Sequence, residues 1–277
     1  MQNVIITGGA GGIGTHLSKA LIDDGYKVFV IGRDPKNFDL LYENTKRNEN
    51  LEFFQVNVAS IKNVSDFFRS ITGSKYQLFA LINCAGVQVP IGKFSEVDME
   101  AWANNISVNL LGTSNMIKAS IPFFSKGNGC GKIINFSGGG ATSSRPNFSA
   151  YSVSKTAIVR LTEILAEELK DSKIEINAVA PGAINTGMLG DILVAGNKAG
   201  NEFEAGLEQK KSGGESPKKV VDLCRFLLSE ESDGISGKLI SAVWDDYHDP
   251  SFMERLKSDS DFCCLRRVDA INFEGTQ

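Results

Sequence analysis

The segment Val4-Ile5-Ile6-Thr7-Gly8-Gly9-Ala10-Gly11-Gly12-Ile13-Gly14 decides the fold of this chain. Its apolar start predicts a buried strand, its glycines predict a tight turn, and helical periodicity continues from Gly12 to Asp24. Glycines in such a turn let the backbone come close to a pyrophosphate, whose charge then lies at the helix N-terminus. This position in a strand–turn–helix unit predicts nucleotide binding, and a merely tight turn is the alternative.

Short apolar runs alternate with helical patterns along most of the remaining chain. Further strands are predicted at 28–31, 51–56, 78–82, 132–136, 174–179 and 238–243, with helical patterns between them. This order predicts right-handed βαβ units and therefore a single Rossmann-type α/β domain, a doubly wound parallel sheet with helices on both faces. We expect the domain to span residues 1–243, followed by a C-terminal extension over 244–277. The stretch from Thr186 to Ser216 is rich in glycine and shows only weak apolar periodicity.

Composition and charge exclude several classes of protein. The chain has 277 residues, 42% of them apolar, and a net charge of −4, which argues against a nucleic-acid-binding surface. No apolar run reaches the roughly 18 residues that a membrane helix needs, and no signal peptide is recognisable. The five cysteines and two histidines show no metal-binding spacing. We therefore expect a cytoplasmic protein with reduced thiols, no metal, and neither a membrane nor a nucleic acid as partner.

A tyrosine and a lysine stand one helical turn apart in Tyr151-Ser152-Val153-Ser154-Lys155. If residues 151–170 form a helix, the two side chains share one face, roughly 5–6 Å apart. A nearby ammonium favours the phenolate, so it would lower the tyrosine pKa from its usual value near ~10. A tyrosine adjusted in this way can exchange a proton with an alcohol or a ketone. A chance coincidence of the two residue types on a helix is the alternative.

Five motifs follow one another: Thr7-Gly8-x-x-x-Gly12-Ile13-Gly14, Asn83-Cys84-Ala85-Gly86, Ser107-Val108-Asn109-Leu110, Tyr151-x-x-x-Lys155 and Pro181-Gly182-Ala183-Ile184-Asn185-Thr186. With them the chain resembles the short-chain dehydrogenase/reductase family, in its single-domain branch. The resemblance covers about residues 3 to 243. Each motif is weak alone, but five in the family's order and spacing are very difficult to explain by coincidence.

The resemblance implies roles for these residues. Tyr151 would be the general acid when a ketone is reduced, and the base in the reverse direction. Lys155 would bind the nicotinamide ribose and lower the tyrosine pKa. Asn109 would hold a water that passes protons to Lys155, or would only be a polar residue that kinks its helix. The cofactor would lie against Thr7, Gly8, Gly12, Ile13, Gly14, Asn57, Val58, Asn83, Ala85, Gly86, Tyr151, Lys155, Pro181, Gly182, Ile184 and Thr186.

The end of the second strand indicates which nucleotide is preferred. Relatives that prefer NAD place an acidic residue there for the ribose 2′-hydroxyl, whereas this chain has Gly32 followed by Arg33. A guanidinium can bind a 2′-phosphate through a forked, charge-assisted contact. NADP is therefore favoured over NAD. In the alternative, the ribose position is shifted by one residue, and the Asp34 carboxylate then lies toward the ribose.

The active site departs from the family pattern at one position. The family usually has a serine thirteen residues before the tyrosine, where this chain has Gly138, with Ser137 one residue earlier. Ser137 could still reach the substrate through a bulge or a shift in alignment. Main-chain N–H groups of Gly138-Gly139-Gly140 could instead hold the substrate oxygen, as in an oxyanion hole. In the third account a catalytic group has been lost and the site works slowly or differently.

The segment 187–216 is predicted to be a mobile lid over the substrate, because ligands of such sheets bind beyond the carboxyl ends of the strands. Its charged residues favour a polar substrate, although they could simply face water: Asp191, Lys198, Glu202, Glu204, Lys210 and Lys211. The residues and the resemblance together predict an NADP(H)-dependent oxidoreductase that moves hydride to or from the carbonyl or secondary alcohol of a small polar molecule. The resemblance also implies a homodimer or homotetramer packed through the helices that carry Asn109 and Tyr151.

Two other classes of function remain open. A regulatory or scaffold protein with the same fold would bind NADPH without turnover, and Gly138 favours this reading. A lyase or epimerase acting on an activated sugar would retain its cofactor tightly throughout the reaction.

Overall fold

The computed structural model describes residues 2–71, 77–124 and 130–267. Their strands form one seven-stranded parallel sheet in the order β3-β2-β1-β4-β5-β6-β7. The predicted doubly wound α/β fold is confirmed. The strands are β1 (Asn3–Thr7), β2 (Lys27–Gly32), β3 (Leu51–Gln55), β4 (Leu78–Asn83), β5 (Gly131–Phe136), β6 (Ile174–Ala180) and β7 (Leu239–Ser241).

Helices cover both faces of this sheet. None of the described helices is both long and apolar enough to cross a membrane. A π-helical turn at Ser107–Leu111 joins α4 to α5. The helices are α1 (Gly12–Asp23), α2 (Pro35–Asn44), α3 (Ile61–Ser70), α4 (Met99–Ile106), α5 (Gly112–Ser120), α6 (Ser149–Leu169), α7 (Gly187–Ala195), α8 (Asn201–Ser212), α9 (Pro217–Leu228) and α10 (Pro250–Ser258).

Each face of the sheet has its own apolar core, because successive side chains of a strand point to opposite faces. In β1, Val4 and Ile6 belong to a buried cluster that includes Leu17 of α1. Ile5 points the other way and packs in a second cluster with Met116 of α5. The run of apolar residues that predicted a buried strand is therefore explained by burial on both sides.

The strand order reverses between β1 and β4, and this reversal positions the site. Parallel pairing aligns Thr7 with Asn83, and Asn83 with Asn135, so polar strand ends gather at one edge of the sheet. In open α/β sheets the crevice at such a reversal, beyond the carboxyl ends of the strands, is where ligands bind. The site described below lies there.

The segment 187–216, predicted as a glycine-rich loop, is mostly helical instead, and this prediction of its structure was wrong. Its role as a mobile lid stays a prediction. The segment contains α7 and α8, with turns of positive φ at Gly196 (φ 55°) and Gly200 (φ 61°) between them. Gly206 allows the two helices to pack closely, since an atom at its Cβ position would lie only 3.2 Å from the Ile192 side chain. Few of their side chains are buried, which explains the weak periodicity in the sequence.

The described part of the C-terminal extension packs along β7, at the edge of the sheet. The Leu239 N–H donates to the carbonyl of Cys263 over 2.8 Å. The buried Lys238 ammonium donates to the carbonyls of Asp259 (2.6 Å) and Phe262 (3.0 Å). The extension thus covers an edge strand that would otherwise expose unpaired backbone groups. Residues 268–277 of the predicted extension lie outside the described residues.

Candidate active site

The turn after β1 leaves space that side chains would fill. Gly8 has a φ of 68°, and an atom at its Cβ position would lie 2.9 Å from the backbone of Ala85. An atom at the Cβ position of Gly14 would collide with the Gly8 carbonyl oxygen. Gly11 caps α1 without offering a side-chain acceptor, so the N–H groups of the first helical turn are open to an anion.

The ends of β1, β4 and β5 are joined by side-chain hydrogen bonds. Thr7 Oγ1 accepts the Ala85 N–H over 3.1 Å. Asn83 Nδ2 donates to Asn135 Oδ1 over 2.9 Å, and Asn135 Nδ2 donates to Thr162 Oγ1 over 2.9 Å. Asn83 Oδ1 is buried and has no partner among the described residues. Thr7 therefore holds the Asn83-to-Gly86 motif against the end of β1, and Asn83 joins it to β5.

A cavity of about 440 Å³ extends from this turn to the start of α6. The glycine turn at one end and the tyrosine–lysine pair at the other fit a dinucleotide, because the first suits a pyrophosphate and the second a ribose and nicotinamide. Thr186 packs directly on Gly12, with its methyl 2.8 Å from the Cβ position of that glycine. The predicted cofactor residues that line the cavity are Gly8, Gly12, Ile13, Gly14, Ala85, Gly86, Tyr151, Lys155, Pro181 and Thr186.

The predicted nucleotide-selecting residues lie at the end of β2. The Asp34 carboxylate caps α2 by accepting the Lys36 N–H over 2.9 Å. It is thereby engaged with its own helix, whereas the exposed Arg33 binds Gln55 only through its carbonyl oxygen (3.0 Å).

Two further predicted cofactor residues, Asn57 and Val58, follow β3. Asn57 is exposed, and its Oδ1 accepts the Ala59 N–H over 3.1 Å. Val58 is buried, with its side chain against Gly112. At the other end of the predicted cofactor site, Gly182 has a φ of 84° and Ile184 is buried in the core.

Tyr151 and Lys155 are both buried on the first turns of α6. The Lys155 Nζ lies 5.6 Å from the centre of the Tyr151 ring and donates to the Phe136 carbonyl over 2.7 Å. Burial lowers the pKa of Lys155 to about 8. Burial also raises the pKa of Tyr151, against a smaller opposing effect of the Arg145 guanidinium. The direction expected from the sequence was the reverse, since spacing reveals the neighbouring charge but not the loss of water around the phenol.

Gly138 directly faces the tyrosine. An atom at its Cβ position would collide with the Tyr151 hydroxyl. Ser137 lines the cavity at the glycine turn, and its hydroxyl donates to the Lys155 carbonyl over 3.3 Å. The N–H groups of Gly138, Gly139 and Gly140 donate to no acceptor among the described residues, and all three glycines line a second cavity.

Asn109 lies in the π-helical turn, a feature that often marks functional sites. Its Oδ1 accepts the Val87 N–H over 2.8 Å, and its Nδ2 donates to Val87 O, Asn105 Oδ1 and Ser154 Oγ within 3.0 Å. An atom at the Cβ position of Gly86 would lie 3.2 Å from Asn109 Oδ1 and 3.5 Å from Lys155 Nζ. Asn109 thus braces the Val87 backbone beside the lysine, and the water relay stays a prediction.

The second cavity, of about 760 Å³, lies between the Gly138-to-Arg145 loop and α7 and α8. Tyr151 also lines it, together with Gln88, Arg145 and Glu202. Sequence reasoning missed Gln88 and Arg145 as site residues. The available signal for Arg145 was a charged residue in the short loop before α6, but its partner Glu202 is 57 residues away in the chain.

Comparisons with known proteins find a matching family and several similar sequences. A sequence model of the family described as short chain dehydrogenase matches residues 2–194. The diacetyl reductase, (S)-acetoin forming, of Staphylococcus aureus is 31% identical over 245 residues, which cover 85% of this chain and 94% of that protein. Dehydrogenase/reductase SDR family member 4 of Bos taurus is 30% identical over 239 residues, which cover 85% and 84% of the two chains.

A solved structure of ElxO with bound NADP has a similar fold. Its TM-score is 0.74 at 28% sequence identity, over 87% of this chain and 96% of ElxO. The similarity thus extends well beyond the nucleotide-binding half of the chain.

Proposed function

Since the chain belongs to the short-chain dehydrogenase family, we propose that it is an NADP(H)-dependent reductase of small polar ketones, with Tyr151 as its proton donor. The family establishes the coarser statement: the protein is an NAD(P)-binding oxidoreductase that acts on CH–OH or C=O groups. A relative that is a diacetyl reductase supports a small ketone as substrate.

The position of Tyr151 carries the proposal. Tyr151 lines both the cavity at the glycine turn and the larger second cavity. Ile13 and Thr186 also line both cavities. A cofactor held in the first cavity and a ketone held in the second would both border on the phenol. A proton donor between a hydride carrier and a carbonyl is what this reaction requires.

The chain's own residues supply the proton and hold the oxygen. The bound nicotinamide would give hydride to the carbonyl carbon in reduction, or take it from the alcohol in oxidation. A phenol with an ordinary pKa near ~10 already keeps its proton at neutral pH, and burial raises the pKa of Tyr151 further. Tyr151 would therefore give its proton only to an oxygen that is gaining charge. The N–H groups of Gly138 to Gly140 would hold that oxygen, with Ser137 as the alternative. Lys155, with a pKa of about 8, would be mainly an ammonium at pH 7 and would bind ribose hydroxyls.

We expect the purified protein to oxidise NADPH, and NADH much more slowly, with a panel of small ketones and ketosugars. Arg33→Ala should weaken NADPH binding about 10- to 100-fold, as the loss of a charge-assisted bond to the 2′-phosphate would predict. NADH affinity should change little, because NADH has no phosphate at that position. Fluorescence titration with each nucleotide measures both affinities.

Arg69→Ala is the matched control, because this exposed arginine lies at the far end of α3 and pairs with Asp66. If Arg33→Ala weakened both nucleotides equally, the NADP preference would be wrong. Binding without turnover on any compound would favour a regulatory protein. A cofactor that stays bound and shows no net oxidation would favour a lyase or epimerase.

We also propose that the chain forms a homodimer or homotetramer through the helices that carry Asn109 and Tyr151. Leu111, Val153 and Ile164 on these helices are about half exposed. Covering such apolar side chains favours self-association, and analytical ultracentrifugation measures the resulting mass. A monomeric mass at micromolar concentration would contradict this proposal.

A further inference from the structure

Arg145 is held against the catalytic tyrosine. Its guanidinium carbon lies 3.9 Å from the centre of the Phe148 ring and 5.6 Å from that of Tyr151. Only 15% of its side chain is exposed. A planar cation packed on buried rings has little freedom to move, so its hydrogen-bond donors have fixed directions.

Glu202 of α8 occupies one edge of this guanidinium. Nε donates to Glu202 Oε1 over 3.1 Å, and Nη2 donates to Oε2 over 2.8 Å. This is the bidentate geometry in which arginine binds carboxylates most strongly. The Arg145 charge is therefore already neutralised by a carboxylate of α8.

The remaining nitrogen of Arg145 has spare capacity. Nη1 lies 3.4 Å from Oε1 of the buried Gln88, which is longer than a normal N–H···O hydrogen bond. Gln88 itself is held by donating to the Met188 carbonyl of α7 over 3.2 Å. Nη1 carries two protons, so it can donate to an oxygen that enters the cavity beside Tyr151.

The charges that line the cavity disfavour an anion. Among its described lining residues the charged ones are Arg145, Glu202 and Asp245, one cation against two carboxylates. A substrate carboxylate would have to displace Glu202 from Arg145, or remain unpaired near negative groups. Like charges brought together in this way oppose binding.

We propose that Arg145, held by Glu202, is a specificity-determining residue that selects neutral substrates by donating from Nη1 to a second substrate oxygen, and that Glu202 excludes carboxylates. The inference rests on the proposed function and narrows its substrate class to small, uncharged compounds that carry a second oxygen near the carbonyl, such as vicinal diketones and hydroxyketones. A ketone with one oxygen would react without this contact.

The test compares 2,3-butanedione with pyruvate, which is similar in size but carries a carboxylate. With wild type and NADPH, kcat/KM should favour 2,3-butanedione by roughly 100-fold or more. Glu202→Gln should reduce that ratio at least about tenfold, because Arg145 is then free to bind the carboxylate. Adding Arg145→Gln to this variant should remove the activity toward pyruvate that Glu202→Gln gained. The intrinsic reactivities of the two compounds are the same with every variant, so changes in the ratio report on the protein.

Glu204→Gln is the matched control, since Glu204 lies on the same helix and is exposed. A ratio that changes equally in Glu202→Gln and Glu204→Gln, or a wild type that prefers pyruvate, would overturn the inference. Binding is followed in parallel through the fluorescence of protein-bound NADPH, so a compound that binds without reacting is still detected. If other ketones are reduced but neither test compound binds, the inference fails and the proposed function stands. If no ketone in the panel is reduced, the proposed function fails, and the two binding affinities alone decide the inference.

Discussion

Tyr151→Phe is expected to lower kcat/KM for ketone reduction by about 10³-fold, in the range found when a general acid is removed. Phenylalanine retains the ring and therefore the packing at the start of α6. The hydroxyl donates to no acceptor among the described residues, so its loss leaves no buried partner unsatisfied. NADPH affinity and Tm should stay close to wild type, which separates a catalytic loss from unfolding.

Tyr26→Phe is the control for this measurement. Tyr26 is partly buried and stacks on Phe79 at a ring-centre distance of 5.8 Å, and it lines neither cavity. Steady-state oxidation of NADPH with a reactive ketone gives kcat/KM for the three proteins. Activity of Tyr151→Phe within tenfold of wild type would mean that another group supplies the proton, and the proposed mechanism would be abandoned.

Gly138→Ser is expected to lower activity about 10²-fold, although it introduces the serine that the family usually has at this position. The Cβ atom would collide with the Tyr151 hydroxyl, so either the phenol or the loop must shift. Overpacking of this kind destabilises a protein by roughly 1–3 kcal/mol. Displacing a reacting group by about 1 Å can itself cost about 10²-fold in rate. Steady-state kinetics and the thermal unfolding midpoint measure the two effects.

Gly190→Ser provides the comparison, because an atom at that Cβ position meets nothing within 4 Å. It should leave kcat/KM unchanged. Ser137→Ala then distinguishes the groups that could hold the substrate oxygen. A loss of at most a few fold supports the main-chain N–H groups of Gly138 to Gly140, whereas a loss near 10²-fold identifies Ser137. If Gly138→Ser is as active as wild type, the site accommodates a serine and the steric explanation is wrong.

Most of the fold could be predicted from short stretches of sequence. The parallel sheet was predicted from the strand–turn–helix unit at residues 3–23 and from the alternating strands and helices after it. Strands buried on both faces have continuous apolar runs, which a sequence shows directly. The structure of the segment 187–216 was predicted poorly. Glycines such as Gly196 and Gly200 suggested a loop, but they only separate α7 from α8, and two helices that bury few side chains leave little periodicity to detect.

The candidate site, too, could be predicted only in part from the sequence. Local spacing placed Tyr151 and Lys155 on one face of α6, and the glycine turn at the N-terminus of α1. The sequence contained no sign that burial would raise the Tyr151 pKa, because desolvation depends on everything that packs around the phenol. It also gave no sign of the pairing between Arg145 and Glu202.

By itself, then, the sequence determined the sheet, the nucleotide-binding turn and the tyrosine–lysine pair, since periodicity, turn chemistry and helical pitch act over a few neighbouring residues. Only the tertiary structure decided that Gly138 faces the Tyr151 hydroxyl, that Ser137 is bound to the Lys155 carbonyl, and that a carboxylate of α8 neutralises the arginine beside the phenol. The physical reason is that these contacts join residues distant in the chain, and their distances and surroundings are set by how the helices and loops pack over the end of the sheet.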